Sequence, residues 1–193
     1  MSPHHRLHCA IVFRNWPIPK ASKKITKRMD SVMEDMDIEI RGGTIVDPSR
    51  VGPTEATVKI KKGWLCTPNE TLSDAKIINA HGCYVVPGLI DFHTHLFEYG
   101  STSGINPDLA LLPCGVTAAV DAGSAGVANY PAFSKHVIRC SRVFVKSYLN
   151  VSPAGLVAVH YHSEMMNPLY FSPKKIIELV QAHPNEILGL KIR

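Results

Sequence analysis

The chain has 193 residues and a formal net charge of +5, with 45% hydrophobic and 19% charged residues. This is the composition of an ordinary globular protein, and no apolar run is long enough to span a membrane. Residues 1–36 carry seven Lys or Arg and three acidic residues, so four of the five net positive charges belong to this segment. The rest of the chain is close to neutral, which argues against a broad nucleic-acid-binding face.

The basic N-terminal extension, residues 1–36, is predicted to be disordered. Residues 1–29 contain no Asp or Glu, as in organellar transit peptides, but Pro3, Pro17 and Pro19 oppose a continuous amphipathic helix. The cysteines are odd in number and lack metal-type spacing, which predicts free thiols in a reducing compartment. They are Cys9, Cys66, Cys83, Cys114 and Cys140. We therefore expect a cytoplasmic protein, with mitochondrial targeting as the minor alternative.

Residues 37–83 have the pattern of antiparallel β-structure. Apolar and polar residues alternate over 37–47 and again over 56–63, which predicts half-buried antiparallel strands. The Gly42-Gly43 pair within the first run is interpreted as a turn.

From residue 84 onward the pattern changes to strands that alternate with helices. Strands are predicted over 84–92, 116–121, 142–151 and 187–192. The clearest helix follows Ser172 as N-cap and Pro173 in the first turn, and it stops at Pro184. Strands that alternate with helices predict an α/β fold with a parallel sheet. Periodicity alone does not separate a closed barrel from an open doubly wound sheet.

His93 and His95 are the candidate metal ligands. They are two residues apart near the predicted end of a strand, so their side chains share a face. Two neutral imidazoles suit a divalent transition metal, zinc first, and Asp91 has the same parity and could orient a ligand. Ile90 and Phe92 have the opposite parity, which suits packing against helices. The alternative is that these histidines only make ordinary hydrogen bonds.

Four segments of the chain carry a family resemblance, namely residues 86–95, 114–126, 149–156 and 188–193. They resemble the amidohydrolase superfamily, in the branch of dihydroorotase-like amidohydrolase/deacetylase metallohydrolases, and the resemblance extends over about residues 38–193. It implies that residues 84–193 are the first four βα units of a TIM-type (β/α)₈ barrel. It further implies that residues 37–83 are part of a small β-sandwich.

The resemblance also implies a binuclear site for divalent metal, with zinc expected. His93 and His95 would bind one ion, and Lys191, carboxylated, would bridge two. A lysine on the inner face of a closed barrel is largely desolvated, which favours the neutral amine that reacts with carbon dioxide. The alternative is that Lys191, two residues from the last residue of the chain, lies in water.

Other ligands of the family have no counterpart by motif in this chain. These are the histidines of the fifth and sixth barrel strands and the proton-shuttling aspartate of the eighth. His160, His162 and His183 do not match those motifs and are predicted to be surface or loop residues, and Asp121 is expected to cap a turn. A complete barrel needs about 250 residues, so the chain corresponds to its N-terminal half.

The implied activity is hydrolysis of an amide or ester (C–N or C–O) bond in a small molecule by a metal-activated hydroxide. We expect this chain, as a truncated half-barrel, to be inactive. The alternative is a catalytically dead half-barrel that acts as an interaction module, or an incomplete gene product. Either form would leave open sheet edges, which predicts self-association or a complementing C-terminal half.

Overall fold

The computed structural model describes residues 11–13, 36–47, 52–67, 69–161 and 167–192. Over these ranges the chain is mixed α/β, and it divides into two compact units between Gly88 and Leu89. Within the N-terminal extension the described residues 11–13 form a short strand, and elsewhere its predicted disorder stays a prediction. No helix in the described parts of the chain is both long and apolar enough to cross a bilayer.

The first unit contains a six-stranded mixed sheet. Its strands are β1 (Ile11–Phe13), β2 (Ile38–Ile45), β3 (Thr54–Lys61), β4 (Trp64–Leu65), β5 (Lys76–Asn79) and β6 (Tyr84–Pro87). β2 and β3 pair antiparallel, as predicted, whereas β5 and β6 both pair parallel to β2. Buried apolar side chains from these strands and the turn after β5 form a small core, namely Ile40, Ile60, Ala80 and Val85.

The Gly42-Gly43 pair lies inside β2, so the predicted turn at this position was wrong. The register of β2 on β3 shifts between Ile40 and Gly43, which is the mark of a β-bulge. Gly42 has a φ of +72°, which glycine adopts at little cost. A Cβ on Gly43 would lie 2.5 Å from the Val85 side chain, so close packing also requires glycine there.

The second unit is a four-stranded parallel sheet with helices in the connections. Its strands, neighbours in space as in sequence, are β7 (Leu89–Thr94), β8 (Val116–Asp121), β9 (Phe144–Asn150) and β10 (Ile187–Lys191). The connections contain α1 (Pro107–Ala110), α2 (Tyr130–Phe133), a π-helical turn (Ser134–Ile138) and α3 (Pro173–Ala182), with 3₁₀ turns over Leu112–Cys114 and Pro168–Tyr170. The predicted parallel α/β arrangement is confirmed.

The single strand predicted over residues 84–92 was wrong, because two strands share this segment. β6 pairs within the first sheet, and β7 pairs within the second. Pro87 has no backbone N–H and Gly88 follows it, which ends the pairing of β6. The two units divide after Gly88.

The predicted helix after Ser172 is confirmed as α3. The Ser172 side chain accepts a hydrogen bond from the backbone N–H of Lys175, and Pro173 occupies the first helical position. The helix ends at Ala182, before Pro184, and it buries Ile176 against the sheet and its neighbours.

The main core of the molecule lies between the helices and the second sheet. Its large buried side chains include Tyr130, Phe133, Leu149, Ile176 and Ile187. The two edge strands of this sheet, by contrast, expose apolar side chains. Ile90 and Phe92 on β7 are 60% and 61% exposed, so the expected packing of these two residues against helices was wrong. The reason is that β7 is an edge strand of the described sheet.

Candidate metal centre

The carboxyl ends of the four parallel strands lie along one edge of the second sheet. The pairing register joins Thr94 of β7 to Asp121 of β8, and Asn150 of β9 to Lys191 of β10. In parallel α/β barrels the residues that carry chemistry are found at this edge. The loops that follow β7 and β8 therefore supply the candidate site.

His93 and His95 lie at the end of β7, with their ring centroids 6.0 Å apart and their planes nearly perpendicular. His93 is exposed, whereas His95, just beyond the strand, is half-buried. The Asp91 carboxylate accepts a hydrogen bond from the backbone N–H of His93 at 3.0 Å, so this described contact of Asp91 fixes the strand end and not an imidazole. The predicted orientation of a ligand by Asp91 stays a prediction.

Asp121, the last residue of β8, is fully buried and holds the two loops together. Its carboxylate accepts backbone N–H groups from Leu96 at 2.7 Å, Gly123 at 3.0 Å and Ser124 at 2.7 Å. Burial raises the pKa of the Asp121 carboxyl, and the hydrogen bonds from Leu96 and Ser124 oppose that rise. The expected turn-capping role of Asp121 is confirmed, and the bond to Leu96 adds a link to the chain just after β7.

Ser124 contacts His95 directly. The Ser124 Oγ lies 3.0 Å from the His95 Nδ1, and the serine is fully buried. The sequence indicated an active-site loop over Gly123–Gly126, but it did not predict the contact of Ser124 with His95. The Asp-x-x-Ser spacing from Asp121 was the available signal, because it is the spacing of a side chain that caps a tight turn.

Lys191 ends β10 and packs against the same loop as His95. A Cβ on Gly123 would lie 2.6 Å from the Lys191 Cβ and 2.7 Å from its Cγ, so the lysine stem occupies the space that a side chain at Gly123 would need. Opposite Lys191, the buried Asn150 donates from Nδ2 to the carbonyl oxygen of Gly123 at 3.0 Å. The loop thus brings His95 and Lys191 against two consecutive residues, Ser124 and Gly123.

The remaining histidines lie in loops and at a helix end. His160 is exposed in the loop after β9, with its Nε2 3.3 Å from the Ser103 Oγ. His183 follows α3 and is half-buried, with its Nδ1 2.9 Å from a Glu186 carboxylate oxygen. His162 lies outside the described residues.

Known proteins resemble this chain over much of its length. A deacetylase of Agrobacterium fabrum is 36% identical over 121 residues, which are 63% of this chain and 30% of that protein. A deacetylase of Enterococcus faecalis is 28% identical over 162 residues, 82% of this chain and 42% of that protein. The crystal structure of a dihydroorotase matches with a TM-score of 0.74 and 27% identity, over 82% of this chain and 42% of that one.

The chain belongs to the amidohydrolase superfamily. No family model matches it. The chain spans between 30% and 42% of the length of the three relatives above.

The donor types of this chain fit a zinc ion in part. Two imidazoles at the end of one strand are suitable zinc ligands, and the lysine of β10 borders the same loop. Among the described residues, however, no group of three or more His, Cys, Asp or Glu side chains is placed to hold a metal ion. The assignment of His93, His95 and a carboxylated Lys191 as metal ligands therefore stays a prediction.

Proposed function

We propose that this chain carries part of the metal centre of a hydrolase that cleaves an amide or ester bond in a small molecule. The observation that supports this most is the meeting of His95 and Lys191 at the Gly123-Ser124 loop, beside the second imidazole of His93. The superfamily membership of the chain supports a hydrolase.

The chain's own residues would have separate duties in such a centre. His93 and His95 would each give a neutral imidazole nitrogen to a divalent metal ion, with zinc expected from the donor types. Lys191 would become a ligand after its amine had attacked carbon dioxide and lost a proton, because the resulting carbamate carries anionic oxygen donors. A metal ion bound there would polarise a carbonyl group and lower the pKa of water. The residue that accepts and passes on the proton is not assigned within this chain.

The proposed architecture of this chain includes half of a barrel. We propose that the second unit is the first four βα units of a (β/α)₈ barrel and that the first unit is part of a β-sandwich. The sequential order of four parallel strands, with the candidate ligands at their carboxyl ends, supports the barrel. A cytoplasmic location is supported by the free thiols of the four cysteines in the described ranges, Cys66, Cys83, Cys114 and Cys140.

Zinc titration of the purified chain by calorimetry tests the proposal. We expect weak zinc binding that falls as the pH drops and protonates the imidazoles, and that is lost in the His93→Ala, His95→Ala double variant. His136→Ala is the matched control, because this exposed histidine lies in the π-helical turn and is expected to leave zinc affinity unchanged. Stoichiometric zinc that survives dialysis in the double variant would assign the site elsewhere.

A second hypothesis is that the chain is a catalytically inactive interaction module. It is favoured by the apolar side chains that the edge strands of the second sheet leave exposed, which include Ile90, Phe92, Leu188 and Leu190. Such strand edges pair readily with other strands. The two hypotheses differ in zinc binding, because an interaction module has no need of His93 or His95.

A further inference from the structure

Asn150, the last residue of β9, is a buried junction between that strand and the loops after β8 and β9. Its backbone N–H donates to the carbonyl oxygen of Ala125 at 2.9 Å, in the loop after β8. Its side-chain Nδ2 donates to the carbonyl oxygen of Gly123 at 3.0 Å, in the same loop. Its side-chain Oδ1 accepts the backbone N–H of Ser152 at 2.9 Å, in the loop after β9. The residue is only 3% exposed, so solvent has little access to these bonds.

The two side-chain partners of Asn150 determine how its amide is oriented. A backbone carbonyl oxygen accepts hydrogen bonds and a backbone N–H donates them, so the amide nitrogen faces Gly123 and the amide oxygen faces Ser152. A buried polar group that loses its partner is costly, because water does not replace the bond. The amide therefore fixes the Gly123 carbonyl in both distance and direction.

Gly123 in turn packs against the stem of Lys191. A Cβ on Gly123 would lie 2.6 Å from the Lys191 Cβ, 2.7 Å from its Cγ and 3.7 Å from the Asn150 Cβ, so this side of the glycine faces both residues. Asn150 and Lys191 are also partners in the register of β9 and β10. Rotation of the lysine about χ1 moves its Cγ to another staggered position and so breaks the contact with Gly123.

We propose that Asn150 is a positioning residue that acts through Gly123 to hold the side chain of Lys191 in one χ1 rotamer. The consequence for metal binding rests on the proposed function. A lysine side chain is flexible, and a stem that is already ordered loses less conformational entropy when its end becomes a ligand. Residues that orient ligands in this way support many metal sites.

Asn129 offers a matched control, because it joins the same two loops at a different point. Its Oδ1 accepts the backbone N–H of Gly126 at 2.9 Å, and its Nδ2 donates to the carbonyl oxygen of Ala154 at 3.0 Å. A change of asparagine to aspartate keeps the accepting oxygen and removes the donating nitrogen at either position. At Asn150 this change removes the bond to Gly123, and at Asn129 it leaves that bond in place.

NMR measurement of the three-bond couplings about χ1 of Lys191, in the metal-free chain, tests the inference. We expect one dominant rotamer in the wild type and in Asn129→Asp, and couplings averaged over several rotamers in Asn150→Asp. Asn150→Ala should show the same averaging, and it separates the lost bond from the effect of a buried charge. One rotamer retained in a folded Asn150→Ala variant would overturn the inference. Averaged couplings in the wild type would overturn it too, whether or not the variants fold.

Zinc affinity, titrated with bicarbonate present as the source of carbon dioxide, is the second measurement. Loss of a residue that orients a ligand costs about 10- to 100-fold in metal affinity, so we expect Asn150→Ala to bind zinc that much more weakly and Asn129→Asp to bind it as the wild type does. An equal loss in both variants would show that general loop packing controls the site, and the inference would be wrong. A wild-type chain with the expected rotamer but no zinc binding would support the role of Asn150 and count against the proposed function.

Discussion

Substitution of Gly123 by alanine perturbs the contact between the candidate site and the last strand. The new Cβ would lie 2.6 Å from the Lys191 Cβ and 2.7 Å from its Cγ, far inside van der Waals contact. The φ of Gly123 is +91°, a conformation that L-residues avoid. We therefore expect both a backbone strain and an overpacking cost.

The two costs can be given magnitudes and then separated. A non-glycine residue in left-handed backbone costs about 1–2 kcal/mol, and overpacking of a closely packed site costs about 1–3 kcal/mol. Gly123→Ala should thus lower the free energy of unfolding by about 2–5 kcal/mol. Lys191→Gly removes both clashing carbons, so in the double variant only the backbone strain should remain.

Urea denaturation followed by circular dichroism, at dilute protein concentration, measures the double-mutant cycle. The expected coupling between Gly123→Ala and Lys191→Gly is about 1–3 kcal/mol in favour of the double variant. Hydrogen exchange at the amides of Leu96 and Ser124 reports whether the loop itself is disturbed, since both amides donate to Asp121. Strictly additive effects would show that Lys191 does not pack against Gly123, and the grouping of Lys191 with His95 would then be wrong.

Three further predictions concern turnover, association and pH. The purified chain should show no amidase, esterase or dihydroorotase turnover above background, because loss of a general acid or base alone costs about 10²–10⁴ in rate; metal-dependent turnover that His93→Ala abolishes would contradict this. Light scattering over a concentration series should detect self-association through the edges of β7 and β10. The Phe92→Lys, Leu190→Lys double variant should weaken this self-association, and the control Leu109→Lys on α1 should not. A wild-type chain that stays monomeric and unfolds cooperatively would show that the strand edges do not drive association. Burial raises the pKa of Glu186, but the hydrogen bonds from Ser134 and Arg139 lower it by more. The pKa of Glu186 therefore lies below 4.5. Because the pKa of Glu186 is lower in the folded state, its charge stabilises the fold above pH 4.5, and this stabilisation is lost as the pH falls through the folded pKa. Urea denaturation should therefore find Glu186→Gln less stable than the wild type at pH 7 and nearly equal to it in strong acid.

The sequence predicted those elements whose signals are local. Ser172 and Pro173 begin α3 by capping and ring geometry, and Pro184 follows its end, so neighbouring residues suffice to place it. The strand break at Gly88 was missed because apolar residues continue on both sides of it. Hydropathy reports burial, and it does not report which of two sheets a strand joins.

The residues of the candidate site also differ in whether their signal in the sequence is local. His93 and His95 could be found because their spacing of two residues is itself the signal. Ser124 could not, because its contact with His95 spans 29 residues of sequence and depends on where Asp121 directs the loop. The bulge at Gly42 and Gly43 was mistaken for a turn because two glycines suit either structure, and the choice between them depends on Val85, some forty residues away.

The tie between Asp121 and the Leu96 backbone has a consequence for protein engineering. Because the segment that carries His95 is held by a carboxylate from the next strand, the geometry of this imidazole is a property of two βα units together. A designer who transplanted only the His-x-His strand into another parallel α/β protein would carry over the two histidines without their support. The smallest portable unit is the pair β7 and β8 with the loop that follows each.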